Sequence, residues 1–187
     1  ACDEQRGPNE FGARSTRSAQ KLANLAYEIL REHGESAVEA VKRGAVTESV
    51  DAVVEANTLL SGLGFESGGL AAAHSIHNGL TVLEETHNAT HGEKVNFGTL
   101  THLVLEERDD EFLREFVELS TRLGLPVTLA ELGLEDPTRE QLDAVAEAAL
   151  STEPFVETIH RAFDVEPAEV RDAILAADAI GKRYSPA

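Results

Sequence analysis

The residues of this sequence best suited to chemistry are histidines grouped between residues 64 and 98. That stretch holds four of the seven histidines in the chain: His74, His77, His87 and His91. Neutral imidazole is the commonest side-chain metal ligand near neutral pH. A histidine pair on one helix, followed by a histidine that opens the next, can direct several ring nitrogens at one point. The stretch therefore predicts a metal-assisted active site, with glycines that leave room for a group to approach the backbone.

Each of these histidines also has a purely structural interpretation. His74 and His77 are three residues apart on a predicted helix, where a single histidine is more often a buried, hydrogen-bonded residue than a ligand. His91 opens the next predicted helix and could bond to its backbone, while His87 falls in a loop that we expect to be exposed. The pairing of His74 with His91 favours a metal, because two antiparallel helices joined by a loop bring these positions together.

Two histidines leave the coordination of a metal incomplete. A catalytic zinc normally has three protein ligands and one open position. Cys2 is the only cysteine, so a carboxylate must supply the third ligand. Glu66 and Glu93 are close in sequence, but spacing does not choose between them and a residue outside this chain. Two histidines and one carboxylate suit Zn²⁺ and Fe²⁺ alike.

The elements that must position these side chains are helices. Apolar residues at helical spacing predict a first helix over residues 15–32, which Gly34 ends. Ser36 with Glu39 then has the spacing of a capping box, and Thr47 is a predicted cap for the next helix.

The histidines themselves fall on two further predicted helices. Gly62 and Gly64 are expected to break the helical pattern before it resumes over residues 68–83 and then 91–107. Apolar residues from 112 to 123 mark another helix.

The C-terminal part of the chain continues in the same way. Thr138 with Gln141 is a predicted capping box, and Pro167 suits the first turn of a helix. Residues 125–132 are the only candidate strand. We therefore predict an all-α domain of about seven helices over residues 1–187, built as two small bundles.

Composition limits the partners that this chain can have. The net charge is −18, from 34 acidic and 16 basic residues, and only four of the basic residues are lysine. Such a surface repels nucleic acid and anionic membranes. Few lysines beside many carboxylates also favour a halophilic protein, because high salt screens the repulsion among the carboxylates.

Other sequence features indicate the cellular compartment of the protein and whether this chain is a piece of a longer one. No run of 18–20 apolar residues or signal peptide is present, and a single cysteine favours a reducing, cytoplasmic compartment. The chain contains no methionine, which favours a piece of a longer protein.

The histidine stretch has a family resemblance. GFESGGLAAAHSIHNGL (residues 64–80) followed by HGEKVNFGTLTHLVLE (91–106) resembles the glycerol dehydrogenase branch of the iron-containing alcohol dehydrogenase superfamily, which includes dehydroquinate-synthase-like enzymes. VVEANTLLSG (53–62), GLPVTLAELGL (124–134) and DAILAADAIGKRY (172–184) are also similar. The resemblance covers nearly the whole chain, and implies the helical C-terminal domain of a two-domain enzyme whose N-terminal nucleotide-binding domain is absent here.

The resemblance also implies roles for particular residues. His74 and His91 would be two of three metal ligands, and the third would be an Asp that precedes Ala1. Phe65 resembles the aromatic residue of the glycerol pocket, and His77 would lie beside the metal as a further substrate-binding residue. The implied reaction is oxidation of glycerol to dihydroxyacetone by NAD, with Zn²⁺ or Fe²⁺ polarising the hydroxyl. Family members form homo-oligomers, so we expect one here.

Two alternatives remain open from the sequence. A glycerol-phosphate dehydrogenase or a dehydroquinate-synthase-like enzyme would need convergent Lys and Arg to hold phosphate or carboxylate. Lys94 is the only lysine near the histidines, and no arginine lies between residues 44 and 107, which favours a neutral polyol. The second alternative is a stand-alone helical domain that serves assembly and carries no catalysis.

Overall fold

The computed structural model describes residues 13–151 and 164–185. Cys2 and His160 lie outside these residues. Every regular element in the described ranges is helical, which confirms the all-α prediction. The helices are α1 (Arg17–Lys42), α2 (Glu48–Glu55), α3 (Ser61–Gly68), α4 (Ala72–Leu80), α5 (His91–Leu105), α6 (Asp110–Leu123), α7 (Arg139–Leu150) and α8 (Pro167–Tyr184). They fall into two compact units, residues 1–70 and 71–187.

In the first unit, α1 is longer than predicted. It passes through Gly34 and ends at Lys42, so the break expected at Gly34 is wrong. Gly34 is buried, and tertiary packing outweighs the roughly 1 kcal/mol that a glycine costs inside a helix. The capping box expected from Ser36 and Glu39 is wrong for the same reason. Glu39 instead lies on the helix surface, 3.3 Å from the Arg43 guanidinium.

The second helical segment of this unit is also longer than predicted. Thr47 occupies the N-cap position of α2 as expected, although its side chain makes no capping bond. A π-helical turn, Ala56–Leu60, then connects α2 directly to α3. Gly62 and Gly64 therefore do not break the helix. Gly64 is buried against α1, where an added Cβ would lie 3.6 Å from the Ala23 nitrogen, so this glycine permits close helix packing.

The second unit is built around a larger hydrophobic core. Helices α4, α5, α7 and α8 pack on one another and surround it. The large side chains at its centre, all essentially inaccessible to solvent, are Phe97, Ile76, Leu80, Leu100, Leu129, Leu132, Ile174, Val117, Val127, Val145 and Val170. This core fixes α4 and α5, the two helices that carry the histidines.

Several helix ends of this unit agree with prediction. The Thr138 hydroxyl and the Gln141 side chain cap α7 reciprocally. Pro167 stands in the first turn of α8. Gly124 ends α6 in a left-handed conformation, at φ 76°, which glycine adopts without steric cost.

The candidate strand at residues 125–132 is wrong: the described ranges contain no strand elements, and this segment is irregular before a short 3₁₀ turn. Its amide groups are satisfied by carboxylates instead of a neighbouring strand. Glu131 accepts from the Val127 nitrogen at 2.8 Å and from the Thr128 nitrogen at 2.9 Å. Asp178 of α8 accepts from the Leu129 nitrogen at 2.8 Å.

None of the helices in the described residues is both long enough and apolar enough to cross a membrane.

Candidate metal centre

The histidine stretch forms an antiparallel pair of helices, α4 and α5, joined by residues 81–90. Thr86 is fully buried in this connection, and its hydroxyl donates to the Leu80 carbonyl at 2.7 Å. The ammonium group of Lys94, on α5, donates in turn to the Thr86 carbonyl at 3.0 Å. The connection is therefore fixed to both helices, and the relative positions of His74 and His91 follow from it.

A capping box sets where α5 begins. The Thr90 backbone nitrogen donates to Glu93 Oε2 at 2.6 Å, and the Glu93 nitrogen donates to the Thr90 hydroxyl at 3.4 Å. The bond from the Thr90 backbone, and after it the bond that the Thr90 hydroxyl donates to Glu93 Oε2 at 2.7 Å, lower the pKa of Glu93. Glu93 was a candidate metal ligand, and the structure shows its carboxylate capping α5. The box places His91 at the first helical position.

Glycines allow α4 to approach its neighbours closely. A Cβ at Gly98 of α5 would overlap the backbone oxygen of Ala73, and one at Gly79 would overlap that of Val145 on α7. We expected these glycines to leave room for a bound group. In the structure they admit another helix, and the Gly98–Ala73 contact lies directly beside His74.

Three imidazole rings meet at this end of the helix pair. The ring centroids of His74 and His91 are 5.5 Å apart, and those of His77 and His91 are 4.4 Å apart. His91 Nδ1 and His77 Nε2 are separated by 3.1 Å, and His77 Nδ1 lies 2.9 Å from Asn78 Oδ1. His74 and His77 are half-buried, while His91 is exposed. The juxtaposition of His74 and His91 predicted from two antiparallel helices is therefore present.

These rings fit part of a metal coordination sphere. Imidazole nitrogen suits Zn²⁺ and Fe²⁺, and the exposed His91 leaves the site open to solvent. In the part of the chain that the structure describes, no group of three or more His, Cys, Asp and Glu side chains is placed to hold a metal ion. Glu66, the other carboxylate considered, is exposed on α3 in the first unit. The described residues thus supply two histidines but not a complete ligand set.

The other described histidines make structural contacts. His87 Nε2 lies 3.1 Å from the Thr81 carbonyl oxygen, and His33 Nδ1 lies 3.3 Å from the Ser49 hydroxyl. His102 is buried on α5 and lies 3.1 Å from Glu106. Burial raises the pKa of Glu106, but hydrogen bonds from His102 and Arg108 outweigh it and lower that pKa to about 2.

Phe65 lies in the first unit, where it lines an open pocket of about 340 Å³. The residue is 42% exposed. Most of the lining is apolar, with Tyr27, Asn57 and Ser61 as the polar residues besides backbone. Asn57 belongs to the π-helical turn, a feature that is frequent at functional sites. Sequence reasoning singled out Phe65 but missed the pocket, because the π-helical turn that contributes Asn57 has no sequence signature.

Comparison with known proteins identifies relatives over nearly the whole chain, although no family model matches it. A glycolaldehyde reductase of Halobacterium salinarum is 62% identical over 98% of this chain and 50% of its own length. A glycerol dehydrogenase of Citrobacter freundii is 46% identical, again over 98% of this chain and 50% of the relative. The crystal structure of glycerol dehydrogenase from Schizosaccharomyces pombe superposes with a TM-score of 0.90 at 38% identity. The superposition covers 96% of this chain and 46% of the Schizosaccharomyces pombe chain.

These relatives are named as a reductase and as dehydrogenases, which are oxidoreductases. More narrowly, the chain is homologous to the helical C-terminal domain of glycerol dehydrogenases, which confirms the resemblance stated from the sequence. The chain spans about half the length of the curated relatives that it matches.

Proposed function

We propose that this chain is the metal- and substrate-binding half of an NAD-dependent dehydrogenase that oxidises glycerol to dihydroxyacetone. The observation that carries the proposal is the contact of the His74 and His91 rings, 5.5 Å between centroids, on two helices that a shared core holds together. The names of the relatives give the reaction class, and the histidine pair gives this chain a part in it.

His74 and His91 would each contribute one neutral nitrogen to a divalent metal. By the family resemblance, the third ligand would be an Asp upstream of Ala1. The metal, Zn²⁺ or Fe²⁺, would polarise the substrate hydroxyl and favour its deprotonation. The chain's own residues hold the two imidazoles in place: the Thr90–Glu93 box starts α5, and Lys94 fixes the connection to α4.

The cofactor NAD would accept the hydride. We assign its binding to the half of the relatives that this chain does not span, since no glycine-rich loop between a strand and a helix occurs in the described residues. By the family resemblance, the Phe65 ring would contact the substrate. A Phe65→Ala variant is expected to raise KM more than it lowers kcat, because the ring contributes contact area and no proton or electron.

A neutral substrate fits better than a phosphorylated one. Lys94 is the only cation near the histidines in sequence, and the structure buries it to 6% exposure with its ammonium group on the Thr86 carbonyl. It therefore serves the connection between α4 and α5 and is not displayed to a phosphate or carboxylate. This argues against the glycerol-phosphate dehydrogenase and dehydroquinate-synthase-like alternatives.

A second candidate is reduction of glycolaldehyde to ethylene glycol by NADH. The specific observation in its favour is the relative with that name at 62% identity. Both reactions interconvert a vicinal diol and a hydroxycarbonyl compound, so the same site could serve either. Comparing kcat/KM for glycerol oxidation with kcat/KM for glycolaldehyde reduction, both on the complete protein, decides between them.

The decisive experiment is turnover of the complete protein with NAD⁺ and glycerol after His74→Ala or His91→Ala. We expect either substitution to remove turnover, whereas His87→Ala, which removes a histidine of the same stretch outside the ring contact, keeps it. Full activity in either ligand variant would overturn the proposal. No turnover of the unsubstituted protein with any diol would instead favour a stand-alone assembly domain.

The remaining proposals concern the compartment, the salt environment and the oligomeric state. We assign the protein to the cytoplasm of a halophile, on the strength of its −18 charge and its relative from Halobacterium salinarum, a halophile. We also assign it to a homo-oligomer, supported by large apolar side chains that stay exposed on the first unit, such as Leu59 at 50% and Leu63 at 46%. Light scattering of the complete protein in molar salt measures its assembly.

A further inference from the structure

His77 and Asn78 form a row of hydrogen bonds that ends on His91. His91 Nδ1 faces His77 Nε2 at 3.1 Å, and the other nitrogen of that ring, His77 Nδ1, faces Asn78 Oδ1 at 2.9 Å. The row thus joins three side chains from two helices. His91, at one end of the row, is a proposed metal ligand. The resemblance implied a substrate contact for His77, whereas this geometry points its Nε2 at another imidazole.

The protons of this row can be arranged in two ways. A bond between two neutral imidazoles needs one N–H donor and one bare nitrogen, and each neutral ring carries a single N–H. In the first arrangement His91 Nδ1–H donates to His77 Nε2, and His77 Nδ1–H donates to Asn78 Oδ1. His91 Nε2 then keeps its lone pair. In the reverse arrangement Asn78 must turn its amide N–H₂ toward His77, and His91 Nε2 carries a proton.

Only the first arrangement is compatible with a metal on the outer nitrogen of His91. It is also the arrangement that matches Asn78 as it stands, because a carbonyl oxygen accepts and cannot donate. We propose that His77 and Asn78 are positioning residues that keep the proton on His91 Nδ1 and so present His91 Nε2 to the metal. This inference rests on the proposed function, since it needs His91 to be a ligand.

The consequence is measurable as metal affinity. Groups that accept the second N–H of a ligating histidine fix its tautomer and ring orientation, and their loss typically weakens metal binding by about 10- to 100-fold. His77 and Asn78 would act in this way without touching the metal or the substrate. Their effect should therefore appear in the dissociation constant for Zn²⁺ even where no substrate is present.

The first test compares His77→Leu with His77→Gln in the complete protein. Zn²⁺ affinity is measured by competition with a chromophoric chelator. His77→Leu removes the acceptor for His91 Nδ1–H, so we expect affinity to fall by about 10- to 100-fold. His77→Gln places an amide oxygen where Nε2 stood, and we expect it to restore affinity to within about threefold of the unsubstituted protein, a tolerance well inside the 10-fold loss. Equal affinity in His77→Leu and the unsubstituted protein would overturn the proposal.

The second test uses Asn78, which is exposed and therefore tolerates substitution. Asn78→Asp can only accept from His77, so it forces the proposed arrangement and should keep or tighten Zn²⁺ binding. Asn78→Leu removes the acceptor and should weaken it. If the row ran in the reverse direction, Asn78→Asp would weaken binding as much as Asn78→Leu, and that result would contradict the proposal. These variants decide the question even where His77→Leu fails to fold.

Two controls separate this inference from the proposed function. His87→Gln changes a nearby histidine outside the row and should leave Zn²⁺ affinity unchanged. His91→Ala should abolish site-specific binding. If His91→Ala binds Zn²⁺ as well as the unsubstituted protein, the ligand assignment itself fails. If His91→Ala loses the metal while His77→Leu and Asn78→Leu keep full affinity, only the positioning role fails.

Discussion

The two units of this chain bury different kinds of side chain. In the second unit the core consists of large residues such as Phe97, Leu100 and Ile174. In the first unit the buried residues of α1 are Ala19, Gly34 and other small residues. Burying a large apolar side chain contributes about 1.5–3 kcal/mol, and burying an alanine far less. The second unit therefore has much the stronger hydrophobic core of its own.

Exposed side chains show the same contrast. Among the described residues, the large apolar side chains that stay exposed belong mostly to the first unit, where Val41 is 62% and Val46 is 79% exposed. Charge is also unequally divided: the first unit has 11 acidic and 7 basic residues, the second 23 and 9. The histidine pair therefore lies in the unit whose stronger hydrophobic core can hold it rigidly. The Phe65 pocket lies in the unit with the weaker hydrophobic core.

The largest effect is expected from disturbing the contact of α4 with α5, which tests whether this packing holds the histidine pair in place. In Gly98→Ala the new methyl group overlaps the Ala73 carbonyl beside His74, so the helices must separate. Overpacking of this kind costs about 1–3 kcal/mol, which lowers the melting temperature by about 2–12 °C. We also expect Zn²⁺ affinity to fall by tenfold or more, because each 1.4 kcal/mol is a factor of ten.

Gly92→Ala is the matched control, because Gly92 lies on the same helix and a Cβ there meets nothing within 4 Å. Alanine is the better helix former by about 1 kcal/mol, so this variant should be as stable as the unsubstituted protein or more stable. Equal Zn²⁺ affinity in the two variants would show that close approach of α4 and α5 does not set the histidine geometry.

Amide hydrogen exchange rates test the difference between the hydrophobic cores of the two units. We expect the central residues of α4, α5 and α8 to exchange at least tenfold more slowly than those of α2 and α3, because protection follows buried apolar contact. Mass spectrometry of peptides from the complete protein measures this. Comparable protection in both sets of helices would show that contacts outside this chain stabilise the first unit fully.

Glu106 offers a pH-dependent test within the second unit. Its pKa of about 2 lies below the usual glutamate value of 4.5, so the ionised carboxylate stabilises the fold at neutral pH. That contribution is fully present above pH 4.5 and is lost as the pH falls toward 2. Glu106→Gln should cost about 1.5–3 kcal/mol at pH 7, typical for hydrogen bonds to a charged group.

The stability gap between Glu106→Gln and the unsubstituted protein should narrow as the pH is lowered through that window. Glu111→Gln is the control, since that carboxylate is exposed and lies 4.0 Å from Arg114; surface pairs contribute about 0–1 kcal/mol. A gap for Glu106→Gln that does not change between pH 7 and pH 3 would contradict the assigned pKa.

Salt should affect the two units unequally. Raising ionic strength from about 0.1 to 1 M shortens the Debye length from about 10 to 3 Å and screens repulsion among the carboxylates. We expect the melting temperature to rise, and hydrogen exchange to slow more in the acidic second unit than in the first. A melting temperature in dilute buffer equal to that in molar salt would remove the halophile assignment.

Much of the histidine site could be predicted from the sequence. The spacing of His74 and His91 across a turn sufficed to bring the rings together, and the capping box of Thr138 with Gln141 marked its helix. Local signals such as these act between residues that are close along the chain, where spacing alone determines geometry.

Features that depend on distant residues could not be predicted. Gly34 is a helix breaker by propensity, but tertiary packing keeps it inside α1. The segment at 125–132 has the composition of a strand, yet its Leu129 amide bonds to Asp178, 49 residues away. The bond between His77 and His91 could not be predicted for another reason: it depends on the orientation of the rings, which spacing does not determine.

The most direct test of the account is a crystal structure of the complete protein soaked with Zn²⁺, with anomalous scattering to locate the metal. We predict one zinc ion with a nitrogen of His74 and Nε2 of His91 each at about 2.0–2.1 Å, the usual zinc–imidazole distance. A carboxylate from outside this chain should complete the set. Zinc bound elsewhere, or a site in which either histidine is replaced by another ligand, would contradict it.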